Sequence, residues 1–213
     1  MLFPLIKKDI KIVKGYSFCV IAIAIGLPLL LAWRQPEMGG LYSLLMAVLI
    51  SSVAFNLAIS EKENKYPKAT ALLASTPYMK VGIVSSKYLL YIIIYLVCCI
   101  PSFVEMQFIP ELVVDNFPQA AAIVFFIQAI SMGILLPIQY KFGYEKTKLL
   151  GFLLFLAPFA ITAAEYVKLP AGIVSYFHAS PVILTLLIFF LGIAAWFVSL
   201  RISKKIFVKK DLF

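Results

Sequence analysis

The chain has 213 residues, of which 63% are hydrophobic and only 14% are charged, and its formal net charge is +9. Soluble globular domains are about half apolar, so this composition, with a mean hydropathy of +1.00, excludes that class. The excess of lysine does not indicate nucleic-acid binding, because no basic helix or aromatic-interleaved patch gathers the charges.

The N-terminal segment has an amphipathic pattern that precedes the long apolar runs. Its apolar side chains recur at helical spacing, and its lysines fall on another face. The two sets are Phe3, Ile6, Ile10 and Val13 on one side and Lys7, Lys11 and Lys14 on the other. This pattern predicts an interfacial helix over residues 1–15 that lies along the inner membrane surface.

Six apolar runs are long enough, or nearly so, to cross a hydrocarbon core of about 30 Å, which takes about 20 helical residues. They comprise residues 16–33, 41–60, 84–104, 119–140, 149–167 and 181–200. The sequence therefore predicts an all-α integral membrane protein with six transmembrane helices, in which residues 1–213 form a single transmembrane domain.

The basic residues indicate how these helices are oriented. All of them except Arg34 and Lys168 precede the first run, follow the last run, or lie in or beside the second and fourth connections. By the positive-inside rule, both termini and these two connections are predicted to be cytoplasmic. The third connection carries Glu105, Glu111 and Asp115 without a basic residue, in agreement with an outward position.

The second connection, residues 61–80, is the longest predicted cytoplasmic loop. Pro67 can begin a short helix, and Thr76 followed by Pro77 reads as the N-cap and first residue of the helix that enters the third run. The adjacent Leu72 and Leu73 need a membrane surface or a partner's groove to cover them. A short helix parallel to the membrane is therefore predicted, and a solvated hairpin between two spans is the alternative.

The chain lacks the residue sets of known intramembrane enzymes. A metalloprotease needs a metal-binding pair of histidines, and His178 is the single histidine. An aspartyl protease needs two carboxylates within the bilayer, whereas all three aspartates lie outside the predicted runs. No glycine-flanked serine motif accompanies His178. The sequence predicts no catalytic residue and no metal site, and an intramembrane enzyme is a remote alternative.

Three amide side chains, Asn56, Gln128 and Gln139, are the main polar groups within the predicted runs. Interhelical hydrogen bonds explain them, and a role in lining a substrate path is the alternative. Ion-coupled carriers usually keep ionisable residues in mid-membrane, and none is predicted there. A phosphate-binding loop is also absent, since no Gly-Lys pair occurs. A transporter with this sequence would take its energy from another protein.

Three segments of the chain carry a resemblance to a known family. They are Glu61-Lys62 through Leu72-Leu73-Ala74-Ser75-Thr76-Pro77 to Ile83-Val84-Ser85-Ser86-Lys87-Tyr88-Leu89, the N-terminal Ile6-Lys7-Lys8-Asp9-Ile10, and the C-terminal Ser203 with Lys209-Lys210-Asp211-Leu212. Together with six spans, they resemble small bacterial ABC-2-type permeases, the membrane subunits of ATP-binding-cassette exporters. The resemblance covers the whole chain, although its motifs are short and not catalytic.

The resemblance implies a multi-pass protein of the bacterial cytoplasmic membrane. Two such permeases, identical or different, would pair, and each would rest on a separate ATP-binding-cassette ATPase that binds ATP and Mg, so this chain would need no cofactor. The helix Pro67–Ser75 would dock in a groove of the ATPase, and the interfacial helix would brace it. The implied coupling residues are Glu61, Lys62, Pro67, Leu72, Leu73, Pro77 and Lys87.

The resemblance also bears on the outer side and on the cargo. The apolar loop Leu169–Phe177 would match a short re-entrant element between the fifth and sixth spans. The lack of charge in the spans favours an apolar or amphipathic cargo, such as an antimicrobial or toxin peptide. The alternative transporter is a six-span substrate-capture subunit of a vitamin importer, which should carry a polar pocket near its outer face.

Overall fold

The computed structural model describes residues 2–34, 39–66, 79–114, 116–163 and 181–209, and no strand occurs among them. The helices are α1 (Leu2–Ile12), α2 (Lys14–Arg34), α3 (Leu41–Lys65), α4 (Met79–Glu105), α5 (Phe117–Phe142), α6 (Tyr144–Ala163) and α7 (Pro181–Lys209), with a short 3₁₀ helix over Pro110–Leu112. The prediction of an all-α protein is confirmed for this part of the chain.

Five of these helices, α2, α3, α4, α5 and α7, are long and apolar enough to cross a membrane. Each contains one of the predicted runs, and α3, α4 and α7 extend beyond it at the end that carries lysines. Helix α6 is not among the five. Its first turns carry Glu145, Lys146 and Lys148, and its apolar part, described from Leu149 to Ala163, is shorter than the about 20 residues that crossing takes. A sixth span over residues 149–167 stays a prediction.

Helix α3 lies at the centre of the bundle and packs against α2, α4, α5 and α6. Between Ser43 and Ser60 every side chain is buried except those of Ala54 and Leu57, which are half-buried. By contrast, α2 and α7 lie at the periphery and expose most of their apolar side chains. The central helix therefore contacts protein on all sides, and the peripheral helices are left to face lipid or a partner.

The most extensive helix pair is α5 with α7, and small residues bring the two backbones together. A Cβ atom on Gly133 would lie 3.4 Å from the Cβ atom of Ser199. A Cβ atom on Gly192 would lie 2.9 Å from the ring of Phe125, closer than real Cβ contacts come. These two glycines therefore permit the close approach of α7 to α5.

The helices run up and down, so the lysine-rich segments gather at one end of the bundle, called here the basic end. Three contacts between distant residues define it. They join Glu63 to Lys87, Asn64 to Glu145, and the rings of Tyr140 and Phe207. At the opposite end, the rings of Phe103 and Phe117 lie 5.1 Å apart. The charge asymmetry of the sequence is thus a property of the folded bundle, and the assignment of the basic end to the cytoplasm stays a prediction.

Candidate functional site

A buried ion pair joins α3 and α4 at the basic end. The Lys87 side chain is on α4, and its residue is only 5% exposed. Its Nζ atom lies 2.5 Å from Oε2 of Glu63, in the last turn of α3. Because taking a charge out of water is costly, a buried ammonium of this kind requires a partner. Glu63 supplies it, so the ends of the two helices are tied together.

A second carboxylate reaches the same place from α1. Asp9 is 1% exposed, and the charge of Lys87 acts on it electrostatically. Lys8 is the closest cation, with its Nζ atom 2.8 Å from Oδ1 of Asp9. Burial raises the pKa of the Asp9 carboxyl above its ordinary value, and the two nearby lysines oppose this shift.

The aromatic ring of Tyr140, on α5, completes this group. The Nζ atom of Lys87 lies 5.9 Å from the ring centroid, within the range of a cation–π interaction. One ammonium on α4 therefore contacts groups on α3 and α5, and its charge also acts on Asp9 of α1 without forming a direct ion pair with it. We call Lys8, Asp9, Glu63, Lys87 and Tyr140 the Lys87 cluster.

The three amides singled out in the sequence lie within the bundle. Asn56 accepts a hydrogen bond from the Tyr91 hydroxyl at 2.7 Å and donates one to Oε1 of Gln139 at 3.1 Å. Gln128 donates to Oγ of Ser52 at 2.9 Å and to the carbonyl oxygen of Tyr91 at 3.1 Å. All three amides therefore bond to other helices, as the interhelical interpretation predicts. Their assignment to a transport path stays a prediction.

Tyr88 makes a further polar connection, from α4 to α7. Its hydroxyl oxygen lies 2.6 Å from Oγ of Ser199 and 2.7 Å from Oγ of Ser203. Lys87, Tyr88 and Tyr91 are thus neighbours on α4 that reach α1, α3, α5 and α7 between them. The sequence contained a signal for this, because polar groups recur along the first turns of a helix that is otherwise strongly apolar.

The interfacial helix is divided differently from its prediction. Ile6 and Val13 are buried against the bundle, whereas Phe3 is 76% exposed and Ile10 is also exposed. The predicted apolar stripe therefore separates into a protein-facing edge and an exposed edge. Lys7 is exposed as well, so the outer surface of α1 combines apolar and basic side chains, as expected of a helix at a membrane surface.

Only some of the remaining residues assigned to ATPase coupling are among those that the structure describes. Glu61 pairs with Lys65 one turn away at 2.8 Å, and Lys62 is exposed at the end of α3. Residues Pro67, Leu72, Leu73 and Pro77 lie outside the described residues, as do His178 and the loop 169–177. Lys87 itself is buried, so it offers no surface to a partner protein.

A groove of about 380 Å³ lies between α3 and α6 at the same end. Its lining is mainly apolar and includes two charged side chains. The lining residues are Leu57, Tyr144, Glu145, Lys148, Leu149 and Phe152. An open, mainly apolar groove that also carries two charged side chains is suited to an amphipathic molecule.

The chain matches a family model described as ABC-2 family transporter protein over residues 4–208. No curated protein and no solved structure matches the chain. The family match includes the whole Lys87 cluster, the three amides, the segment between α3 and α4, and the groove.

Proposed function

Because this chain belongs to the ABC-2 family of transporter membrane proteins, we propose that it is the permease subunit of an ATP-binding-cassette exporter. With a second permease, identical or different, it forms the path for an apolar or amphipathic cargo such as an antimicrobial or toxin peptide. Separate ATPase subunits bind ATP and Mg and supply the energy, and the assembly resides in the bacterial cytoplasmic membrane.

The observation that carries this proposal is the position of the Lys87 cluster. Glu63 is in the last turn of α3 and Lys87 is near the beginning of α4, so both adjoin the segment assigned to ATPase docking. A loop that receives force from another protein needs ends that do not move independently. The buried ion pair supplies that property, because separating it would leave a charge unpaired in the interior.

The groove between α3 and α6 supports the amphipathic cargo. Leu57, Leu149 and Phe152 supply apolar lining, and Glu145 and Lys148 add charged groups to it. A molecule with an apolar body and a polar head can enter such a groove sideways from the membrane. The charged side chains of Glu145 and Lys148 would then hold its polar head.

The test is an affinity pull-down of the tagged chain from its native membrane in mild detergent, followed by mass spectrometry. We expect an ATP-binding-cassette ATPase in near-equal amount. As a matched control, a chain with residues 67–75 replaced by glycine and serine should insert normally and lose the ATPase. If the intact wild-type chain purifies without an ATPase, the proposed function is wrong.

A further inference from the structure

The ammonium of Lys87 interacts with side chains on helices that differ in whether they adjoin the segment assigned to ATPase docking. Helices α3 and α4 adjoin the segment that docks the ATPase in the proposed function, whereas α1 lies beside the bundle and precedes the first span. We propose that Lys87 is a positioning residue that makes α1 move with the adjoining ends of α3 and α4. This inference rests on the proposed function and adds to it that α1 moves during the transport cycle.

The first step is the connection from α3 to α4. The Glu63 and Lys87 side chains are 22% and 7% exposed, so little water is available to replace either partner. By comparison, the nearby pair of Glu61 and Lys65 is about half exposed, and water can solvate both groups when it opens. The buried pair therefore holds the end of α3 to the beginning of α4 far more firmly than the surface pair can.

The second step is the connection from α4 to α1. Helix α1 packs chiefly on α4, and the methyl group of Leu5 lies close to Gly82, where an added Cβ atom would be 3.7 Å from it. One turn further along α1, Asp9 is buried and interacts electrostatically with Lys87. The apolar contact and the charge interaction thus both join α1 to the first turns of α4.

The third step is the connection from α1 to the first span. Val13 alone separates α1 from α2, and backbone hydrogen bonds continue across it. The Val13 N–H donates to the Asp9 carbonyl oxygen at 3.3 Å, and the Ser17 N–H donates to the Val13 carbonyl oxygen at 3.0 Å. A displacement of α1 therefore reaches α2 through a nearly continuous helix.

Three substitutions separate the charge from the packing. Asp9→Asn keeps the shape of the side chain and removes its charge, Lys87→Met keeps an unbranched stem without the ammonium, and Lys87→Arg keeps the charge. The matched control is Lys65→Met, which removes a lysine from the surface pair at the end of α3. Because Asp9→Asn leaves the Glu63–Lys87 pair intact, it remains informative even if Lys87→Met fails to fold.

The experiment is hydrogen exchange with mass spectrometry on the permease–ATPase complex in nanodiscs, with and without ATP and orthovanadate. In wild type, we expect nucleotide trapping to change amide exchange in α1 as well as at the ends of α3 and α4. Asp9→Asn should lose the α1 response and retain the response of α3 and α4. Lys87→Met also breaks the Glu63–Lys87 pair, so it should lose the α1 response and alter the response of α3 and α4 as well. Lys87→Arg and Lys65→Met should respond like wild type.

Two outcomes would overturn the inference, and they differ from failure of the proposed function. An α1 response in Asp9→Asn equal to that of wild type would show that the charge does not position α1. A wild-type α1 that does not respond, while α3 and α4 do, would show that α1 is not a moving part. If no ATPase accompanies the wild-type chain, the proposed function fails first and this inference fails with it.

Discussion

The hydroxyl groups of Tyr88 and Ser199 lie 2.6 Å apart and join α4 to α7 inside the bundle. Ser199 donates its own hydrogen to the carbonyl oxygen of Gly133 at 2.7 Å, so it accepts from Tyr88. Tyr88 then accepts from Ser203, which lies 2.7 Å away. This chain of donors and acceptors crosses three helices, and each hydroxyl hydrogen in it has one acceptor.

Replacing Tyr88 by phenylalanine should destabilise the bundle. The variant keeps the ring contact with Trp196 and loses two interhelical hydrogen bonds, so we expect the unfolding free energy to fall by about 1 kcal/mol. Unfolding in detergent micelles would measure the difference. Tyr16→Phe, at an exposed position, is the control and should unfold like wild type. Equal stabilities of Tyr88→Phe and wild type would contradict the prediction.

Replacing Asn56 by alanine should lower the unfolding free energy more than Tyr88→Phe does, because it removes a hydrogen-bond partner from both Tyr91 and Gln139. Leaving a buried polar group without a partner costs about 1–3 kcal/mol. Combining Asn56→Ala with Tyr91→Phe should cost less than the sum of the two single changes, since Tyr91→Phe removes the hydroxyl that Asn56→Ala leaves unpaired. A double-mutant cycle in micelles tests this, and strict additivity would count against the hydrogen bond.

The charge of Asp9 should make stability depend on pH. Burial raises the pKa of this carboxyl, so the folded state disfavours its charged form. That penalty is fully present above the raised pKa and is relieved as the pH falls through it. Asp9→Asn should therefore melt above wild type at neutral pH, with a difference that shrinks as the pH falls. A wild type that melts higher at neutral pH would mean that the two lysines outweigh burial.

Gly40 should tolerate no side chain. Its backbone has φ +65° and ψ −117°, a conformation that residues with a Cβ atom rarely adopt, and an added Cβ would lie 2.7 Å from the Val114 side chain. Gly40→Ala should lower the unfolding free energy by about 1–3 kcal/mol. The matched control is Gly26→Ala within α2, where an added Cβ meets nothing within 4 Å. That control should be neutral or gain up to about 1 kcal/mol.

The apolar pair Leu72 and Leu73 gives a prediction about energy coupling. If these side chains dock in the ATPase, replacing both by aspartate should abolish stimulation of ATP hydrolysis by the permease, while insertion in the membrane is preserved. Replacing Thr70 and Ser75 by aspartate adds the same charge to the same segment and should have a smaller effect. Unchanged stimulation in the leucine variant would remove the coupling role from this segment.

Hydropathy predicted which segments are apolar enough to cross the membrane, but it did not predict which of them is enclosed by other helices. Helices α3 and α7 have similar mean hydropathies of 2.0 and 2.6, yet α3 is buried along its length and α7 is largely exposed. The reason is that lipid tails and protein interiors are both apolar, so the same composition suits either environment. The serines of α3 and its amide at Asn56 were the better signal of enclosure.

The sequence did not predict the Lys87 cluster, and the reason is a related one. Lys87 counted as a basic residue beside a loop, because lysines near the end of a span usually extend their ammonium groups to the surface. Its partners Glu63 and Asp9 come from other helices, and sequence spacing along one helix does not predict contacts between helices. Within α1, spacing predicted a single apolar face, and it did not separate the buried Ile6 and Val13 from the exposed Phe3 and Ile10.

The enclosure of α3 has a consequence for biogenesis. Helix α3 leaves the ribosome before α4, α5 and α6, so it enters the bilayer before three of the four helices that pack against it have been synthesised. Until α4 and α5 follow, Asn56 lacks its hydrogen-bond partners Tyr91 and Gln139, and Ser52 lacks its partner Gln128. A nascent chain that stops before α5 therefore leaves polar groups without partners in hydrocarbon. Such a chain is a substrate for membrane quality control. Insertion of α5 supplies the missing partners.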